Sequence, residues 1–171
     1  MKVEFFKHNL GKQEKKGIHQ VLNSTFLTTG PVTKNFEEKF AEYIGAKYCI
    51  GVSSWTSGNF IALKALGIGP GDEVITTPMS FIATSNTIIH TGATPVFVDV
   101  EEETGNIDAR NIESAITERT KAIMPVHLYG QMCDMIAINE IAEKYNLFII
   151  EDSAHCIEGV RDNIRPGQLS K

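Results

Sequence analysis

The segment LFIIEDSAHC, residues 147–156, places two carboxylates directly after a run of four apolar residues. The apolar run predicts a buried strand, and Glu151 and Asp152 follow it at its carboxyl end. A carboxylate there is costly to bury unless a cation or hydrogen-bond donors meet it. Asp152 could be satisfied by a metal ion, by an arginine, by the protonated ring nitrogen of a ligand, or by backbone N–H groups in a purely structural role.

A metal site at this point would use Asp152 and His155, with Cys156 or His127 as a further ligand. That set mixes hard oxygen with soft sulfur ligands and has none of the spacings typical of metal sites. We therefore expect no metal ion here. The two histidines could instead be general bases, or hydrogen-bonded residues of the scaffold.

Hydroxyl groups and a glycine stand in the segment SSWTSGN, residues 53–59, where a helix is predicted to begin. The free backbone N–H groups of a helix start favour a phosphate, which makes Thr56 and Ser57 candidate phosphate-binding residues. The alternative is ordinary N-capping by Ser54 or Thr56. The chain has no P-loop of the GxxxxGKS or GxxxxGKT type. The glycine-rich segment 67–72 follows a helix, whereas a dinucleotide-binding fingerprint follows a strand.

Phe81 opens the helix predicted after the strand EVITTP. It could present an aromatic face to a flat ligand, or it could belong to the core, where large aromatic side chains usually lie. A phosphate seat, an aromatic wall and an acid for a ring nitrogen are together what pyridoxal phosphate requires. The acid keeps the pyridine protonated, so that the ring can accept electrons from the substrate.

The elements that position these residues alternate regularly along the chain. Strands that are apolar throughout, each followed by a helix, indicate an α/β fold with a mostly parallel sheet flanked by helices. Ligands bind beyond the carboxyl ends of such strands, so the candidate residues should share one edge of the sheet. The predicted strands are KYCIGV, EVITTP, TPVFVDV, KAIMPV and LFIIED, and two helices, KQEKKGIHQVLN and TKNFEEKFAEYIG, precede them.

The composition limits the partners and the compartment. The chain has 171 residues and a net charge of −5, which argues against nucleic acid as a partner. Three cysteines, at positions 49, 133 and 156, fit a reducing cytoplasm and give no disulfide framework. The N-terminal residues lack a signal-peptide pattern, and no apolar run approaches the length of a membrane span. We expect a cytoplasmic protein without a membrane partner.

Four segments resemble the DegT-type (StrS-type) nucleotide-sugar aminotransferases, which are pyridoxal-phosphate enzymes of the aspartate-aminotransferase fold. The resemblance extends from about Phe5 to Gln168. It implies the large domain of a fold-type I pyridoxal-phosphate transferase. The segments are FLTTGPVTKNFEEKFAEYIGAKYCIGVSS, ALGIGPGDEVITTPMSFIATSNTIIHTGATPVFVDV, RTKAIMPVHLYGQMCDMIAI and IIEDSAHCIEG.

The resemblance also implies a role for each candidate residue. Trp55 stands where the family commonly has a smaller residue, which affects the shape of the phosphate loop. The roles implied are phosphate binding for Thr56 and Ser57, stacking on the pyridine ring for Phe81, pairing with the ring nitrogen for Asp152, and a place beside the ring, near its phenolic oxygen, for His155.

Two parts of the family pattern are missing from the chain. The family forms its Schiff base with a lysine in a segment similar to FSFxxTKN, and Lys171, which follows GQLS, does not match it. The C-terminal small domain is absent as well. We therefore predict an N-terminal helical arm over residues 1–45 and an incomplete cofactor-binding large domain over residues 46–171. No catalytic residue is assigned, and this chain alone is expected to lack transaminase activity.

For the full-length enzyme, the resemblance implies a homodimer that transfers an amino group from glutamate to a keto group of a nucleotide-linked sugar. The products of such enzymes serve polysaccharide or surface-glycan synthesis. Two alternatives within the resemblance are a catalytically dead cofactor-binding remnant and a pyridoxal-phosphate-dependent sugar dehydratase. A third, a nucleotide-binding α/β domain without pyridoxal chemistry, is disfavoured by the missing dinucleotide fingerprint.

Overall fold

The computed structural model of the protein describes residues 7–170, so that Phe5 and Lys171 lie outside the described residues. The chain divides into two compact units. The smaller one contains the residues up to Tyr43 together with Lys47–Gly51, and the larger one contains Ile44–Ala46 and the residues from Val52 onward. None of the described helices is long and apolar enough to cross a membrane.

Two predicted helices lie in the smaller unit. Helix α1 (Lys12–Leu22) and helix α2 (Pro31–Ile44, whose last residue belongs to the larger unit) agree with the sequence prediction. Helix α2 begins two residues earlier than predicted, because proline suits the first position of a helix, where its missing N–H costs nothing. Helix α1 buries no residue, and its apolar Ile18 and Leu22 are 59% and 63% exposed.

The larger unit contains a four-stranded parallel sheet with the strand order β2-β1-β3-β4. The predicted fold class, a mostly parallel sheet flanked by helices, is confirmed. The strands are β1 (Glu73–Thr76), β2 (Thr94–Phe97), β3 (Thr120–Ile123) and β4 (Phe148–Ile149). The helices are α3 (Trp55–Ala65), α4 (Ala83–Thr91), α5 (Ala109–Ile112) and α6 (Met135–Tyr145), with short 3-10 turns at Glu113–Ala115 and Leu128–Gly130.

Apolar side chains cover both faces of the sheet. Ile75 and Ile123 belong to a cluster on one face, together with Ile138 of α6. Their strand neighbours Val74 and Ala122 belong to a second cluster, which includes Leu63 of α3 and Ile88 of α4. Neighbouring residues of a strand point to opposite faces, so a strand that is apolar throughout supplies both cores. This arrangement packs α3 and α4 against the sheet.

The predicted strand KYCIGV, residues 47–52, is wrong. Residues 47–51 form no strand and belong to the smaller unit, where the Gly51 N–H donates to the Glu37 carboxylate at 2.7 Å. Tyr48 and Ile50 are 74% and 79% exposed, so their apolar pattern is not used for burial here. Phe60 of α3 is also partly exposed, at 36%.

Leu63 tests whether α3 is held by burial on the sheet. Leu63 is fully buried, whereas Ile61 on the same helix is 54% exposed. We expect Leu63→Ala to lower the free energy of unfolding by about 2–5 kcal/mol, because it removes buried methyl groups and leaves a cavity. The matched change Ile61→Ala should lower it by less than about 1 kcal/mol. Urea unfolding of the purified protein measures both, and equal losses would contradict the described packing of α3.

Candidate functional site

A cavity of about 620 Å³ opens at the carboxyl edge of the sheet, a size typical of small-molecule sites. Its walls come from the start of α3, from the segment between β1 and α4 with the first turn of α4, and from the residues that follow β3 and β4. Four of the five predicted site residues line it: Thr56, Phe81, Asp152 and His155. The remaining lining residues are Trp55, Pro78, Met79, Ser80, Ala83, Thr84, Val126, His127, Leu128, Tyr129 and Ala154.

Asp152 is fixed at this edge by its backbone and by its side chain. Its N–H donates to Pro125 at 2.9 Å and its C=O accepts from the His127 N–H at 3.0 Å, which continues the parallel pairing beyond β3 and β4. Its side-chain Oδ2 accepts from the Thr84 hydroxyl at 2.9 Å, and Oδ1 accepts from the Ala154 N–H at 3.3 Å. Asp152 is only 6% exposed.

The Asp152 carboxylate keeps unused acceptor capacity. Each carboxylate oxygen can accept two hydrogen bonds, and in the described residues each has one side-chain or backbone donor. Within residues 7–170, neither a lysine nor an arginine lines the cavity. No arginine in the described cavity lining therefore pairs with Asp152. A backbone N–H, that of Ala154, donates to only one of the two carboxylate oxygens. A cationic or N–H-bearing ligand would complete this site.

The start of α3 combines capping with an exposed hydroxyl. Ser54 is the N-cap residue, since its hydroxyl accepts from the Ser57 N–H at 3.2 Å. The Ser57 hydroxyl lies 3.1 Å from the hydroxyls of both Ser53 and Ser54, and Ser57 is not among the lining residues. Thr56 does line the cavity. The capping alternative is thus correct for Ser54, and it leaves the Thr56 hydroxyl available to a ligand.

Aromatic residues surround the cavity. Phe81 is 74% exposed, so the core alternative for this residue is wrong. Tyr129, which sequence reasoning did not single out, is 75% exposed, and its ring centroid lies 6.1 Å from that of His155. The signal for Tyr129 was its position in HLYGQ, directly after a predicted strand, where ligand-binding residues collect.

His127 is a residue of the scaffold. It is fully buried, and its Nδ1 accepts from the Cys133 N–H at 3.2 Å. The ring proton must therefore be on Nε2, which donates to the Glu151 carboxylate at 2.8 Å. With both nitrogens engaged inside the protein, His127 is not free to act as a general base.

The metal alternative finds no support in the described part of the chain. No group of three or more His, Cys, Asp or Glu side chains within residues 7–170 could hold a metal ion. Burial raises the pKa of the Cys133 thiol to about 12 and also raises that of Cys156. Both thiols belong to the core cluster on one face of the sheet, where they pack as small apolar side chains.

Comparison with known proteins identifies relatives that match most of the chain. SpsC, a spore coat polysaccharide biosynthesis protein of Bacillus subtilis (strain 168), is 53% identical over 148 residues, which are 86% of this chain and 38% of the relative. The GDP-perosamine synthase of Caulobacter vibrioides is 43% identical over 161 residues, 94% of this chain and 43% of the relative. The chain thus spans about two fifths of the length of these curated relatives.

Solved structures share the fold. The crystal structure of NtdA from Bacillus subtilis, with its cofactor pyridoxamine phosphate (PMP) bound, superposes with a TM-score of 0.82 at 41% identity, covering 90% of this chain and 36% of that chain. The predicted fold of a pyridoxal-phosphate transferase is therefore confirmed. The model of the DegT/DnrJ/EryC1/StrS aminotransferase family matches residues 8–171. Because that match extends over nearly the whole sequence, the chain belongs to the DegT/DnrJ/EryC1/StrS aminotransferase family.

Proposed function

We propose that the cavity binds pyridoxal phosphate and is the cofactor site of a sugar aminotransferase. In this proposal, residues 1–45 are an N-terminal helical arm and residues 46–171 are the cofactor-binding part of the large domain. The complete enzyme transfers an amino group from glutamate to a keto group of a nucleotide-linked sugar. The similarity to a GDP-perosamine synthase supports a sugar nucleotide as substrate, and the bound cofactor of NtdA supports the pyridoxal class.

The observation that carries the proposal is the incomplete neutralisation of Asp152. This carboxylate is 6% exposed and lines a cavity whose described walls contain no lysine or arginine. Removing a carboxylate from water without a counter-charge is unfavourable. A protonated pyridine ring nitrogen supplies both a positive charge and an N–H donor, which are what the free lone pairs of Asp152 can accept.

The start of α3 suits the phosphate group of the same ligand. The positive end of a helix of 11 residues, with the Thr56 hydroxyl beside it, is a favourable environment for an anion. Trp55 adds a buried indole N–H that has no partner in the described residues. Ser57 contributes through the capping hydroxyl cluster rather than at the cavity wall. The helix start and the Thr56 hydroxyl are the groups that the proposal assigns to the phosphate.

The aromatic residues suit the flat ring of the ligand. When bound, pyridoxal phosphate supplies an electron-accepting ring that withdraws charge from the substrate. Asp152 holds the proton at the ring nitrogen, and Phe81 offers an exposed aromatic face to the ring. Tyr129 and His155 line the same cavity, with their ring centroids 6.1 Å apart. No lysine lines the described cavity, so these residues hold the cofactor without a covalent bond.

Asp152→Asn tests the assignment of the ring-nitrogen acid. The substitution keeps the side-chain shape and removes the charge. We expect it to weaken pyridoxal-phosphate binding by about 1.5–3 kcal/mol, or roughly 10- to 140-fold in Kd, because a charge-assisted hydrogen bond is lost. Trp55 is the single tryptophan and lines the cavity, so quenching of its fluorescence measures Kd directly.

The control for this experiment is Asp162→Asn. The Asp162 side chain is 55% exposed and lies outside the cavity lining, and asparagine tolerates its positive φ of 54°. Asp162→Asn should bind the cofactor like the wild type. Equal Kd values for Asp152→Asn and the wild type would show that the carboxylate does not face the ring nitrogen.

The lack of a lysine in the described cavity leads to a second expectation. The purified protein of 171 residues should bind pyridoxal phosphate but should not convert glutamate to 2-oxoglutarate above the rate of free cofactor. Amino transfer needs a base that moves the proton at the substrate carbon, and the described lining residues provide no lysine for this role. A coupled assay for 2-oxoglutarate measures the rate, and turnover by this chain alone would contradict the assignment.

A further inference from the structure

Thr84 connects the start of α4 with the carboxylate at the end of the sheet. It lies in the first turn of α4, is 2% exposed and lines the cavity. Its hydroxyl donates to Asp152 Oδ2 at 2.9 Å, across a separation of 68 residues in the sequence. The proposed function gives no role to Thr84.

The direction of the hydrogen bonds around Thr84 follows from the number of protons that each group can donate. An ionised carboxylate only accepts hydrogen bonds, so the Thr84 proton points to Asp152. The Ser80 hydroxyl lies 2.6 Å from the Thr84 hydroxyl, which has no further proton to give. Ser80 must therefore be the donor in that contact, in preference to its longer contact of 3.2 Å with the Phe81 carbonyl. The result is a relay from Ser80 to Thr84 to Asp152.

This relay restrains the rotation of the Asp152 carboxylate. Oδ2 accepts from Thr84 while Oδ1 accepts from the Ala154 N–H, and the backbone is paired on both sides. Rotating the carboxylate would break a hydrogen bond to each oxygen. Thr84 cannot follow such a rotation easily, because it is buried in a helix whose next turn packs on the sheet through Ile88.

We propose that Thr84 is a positioning residue for the cofactor ring, holding the Asp152 carboxylate in the orientation that accepts the ring N–H, with Ser80 supporting it from the same wall of the cavity. The proposal rests on the proposed function, since it concerns the same ligand. Thr84 acts through Asp152 and is not itself a catalytic residue. Its effect should therefore depend on the ring nitrogen of the ligand.

A purely structural role for Thr84 has a different signature. If its hydroxyl only stabilised the start of α4, its loss would weaken every ligand of the cavity alike. Two probes separate the roles: pyridoxal phosphate, and its carbocyclic analogue with C–H in place of the ring nitrogen. The analogue retains the phosphate and the flat ring but offers no N–H to Asp152.

The experiment measures Kd for both probes by Trp55 fluorescence in four proteins: wild type, Thr84→Val, Thr84→Ser and the control Ser85→Ala. Ser85 lies on the same helix and outside the cavity lining. We expect Thr84→Val to bind pyridoxal phosphate roughly 3- to 10-fold more weakly, the effect of one hydrogen bond. Its Kd for the analogue should stay within about twofold of the wild type. Thr84→Ser keeps the hydroxyl and should restore wild-type binding, and Ser85→Ala should match the wild type throughout.

The outcomes separate the two proposals. Equal weakening of both probes by Thr84→Val, or no weakening of either, would overturn the positioning role while the wild type still prefers pyridoxal phosphate. A wild type that binds both probes equally would overturn the proposed function itself, and the positioning role with it. Should Thr84→Val fail to fold, Ser80→Ala is the second variant, because Ser80 is only half-buried. It should weaken pyridoxal phosphate alone, by about twofold, and an effect on both probes would again reject the proposal.

Discussion

The structure of this site depends on one buried carboxylate whose hydrogen bonds are not all used inside the protein. Asp152 is held by backbone pairing with Pro125 and His127, so the sheet itself determines where its side chain begins. The side chain then receives donors from Thr84 and Ala154. These contacts reduce the cost of burial but add no positive charge. In the proposed function, a protonated ring nitrogen supplies the positive charge that these contacts lack.

Parallel strand order explains how distant residues reach this carboxylate. All pairings in the sheet are parallel, so the segments that follow β1, β3 and β4 emerge at the same edge. Thr84, His127 and Asp152 come from these three segments. The contacts between α4 and β1 and the shared core of Leu63, Val74 and Ile88 pack α3 and α4 on the sheet. The site is thus a consequence of chain direction combined with burial on both faces of the sheet.

The sequence predicted much of this arrangement, and its failures have physical causes. Strands β1 and β3 were recognisable because their buried residues form apolar runs, whereas strand β2 at the edge of the sheet is partly exposed along its length. The segment KYCIGV is also largely apolar. Its Gly51 N–H nevertheless donates a hydrogen bond to Glu37, and residues 47–51 form no strand. Composition alone does not determine which apolar segment pairs with a neighbouring strand. For Phe81, the usual burial of large aromatic side chains gave the wrong expectation, because this residue lines the cavity and is 74% exposed.

Thr84 was missed for a different reason. Nothing in its local sequence distinguishes it from Ser85 or Thr87, and its role is defined by a partner 68 residues away. Predictions from residue type and spacing find groups that carry charge or aromatic character, such as Asp152. They do not find the neutral hydroxyl groups that orient them, because those are selected by tertiary contact.

The adjacent carboxylates at 151 and 152 show how strand geometry separates two chemically similar groups. Successive side chains of a strand point to opposite faces. Glu151 meets internal donors on its side: the His127 ring, the Gly167 N–H at 3.0 Å and the Ser170 hydroxyl. The Glu151 carboxylate thus accepts hydrogen bonds that hold the segment following the sheet in place. Asp152, one residue further, lies on the cavity side and keeps lone pairs free. Two carboxylates at the end of a buried strand are therefore not a redundant pair, since one stabilises the fold around the site and the other is left available for a ligand.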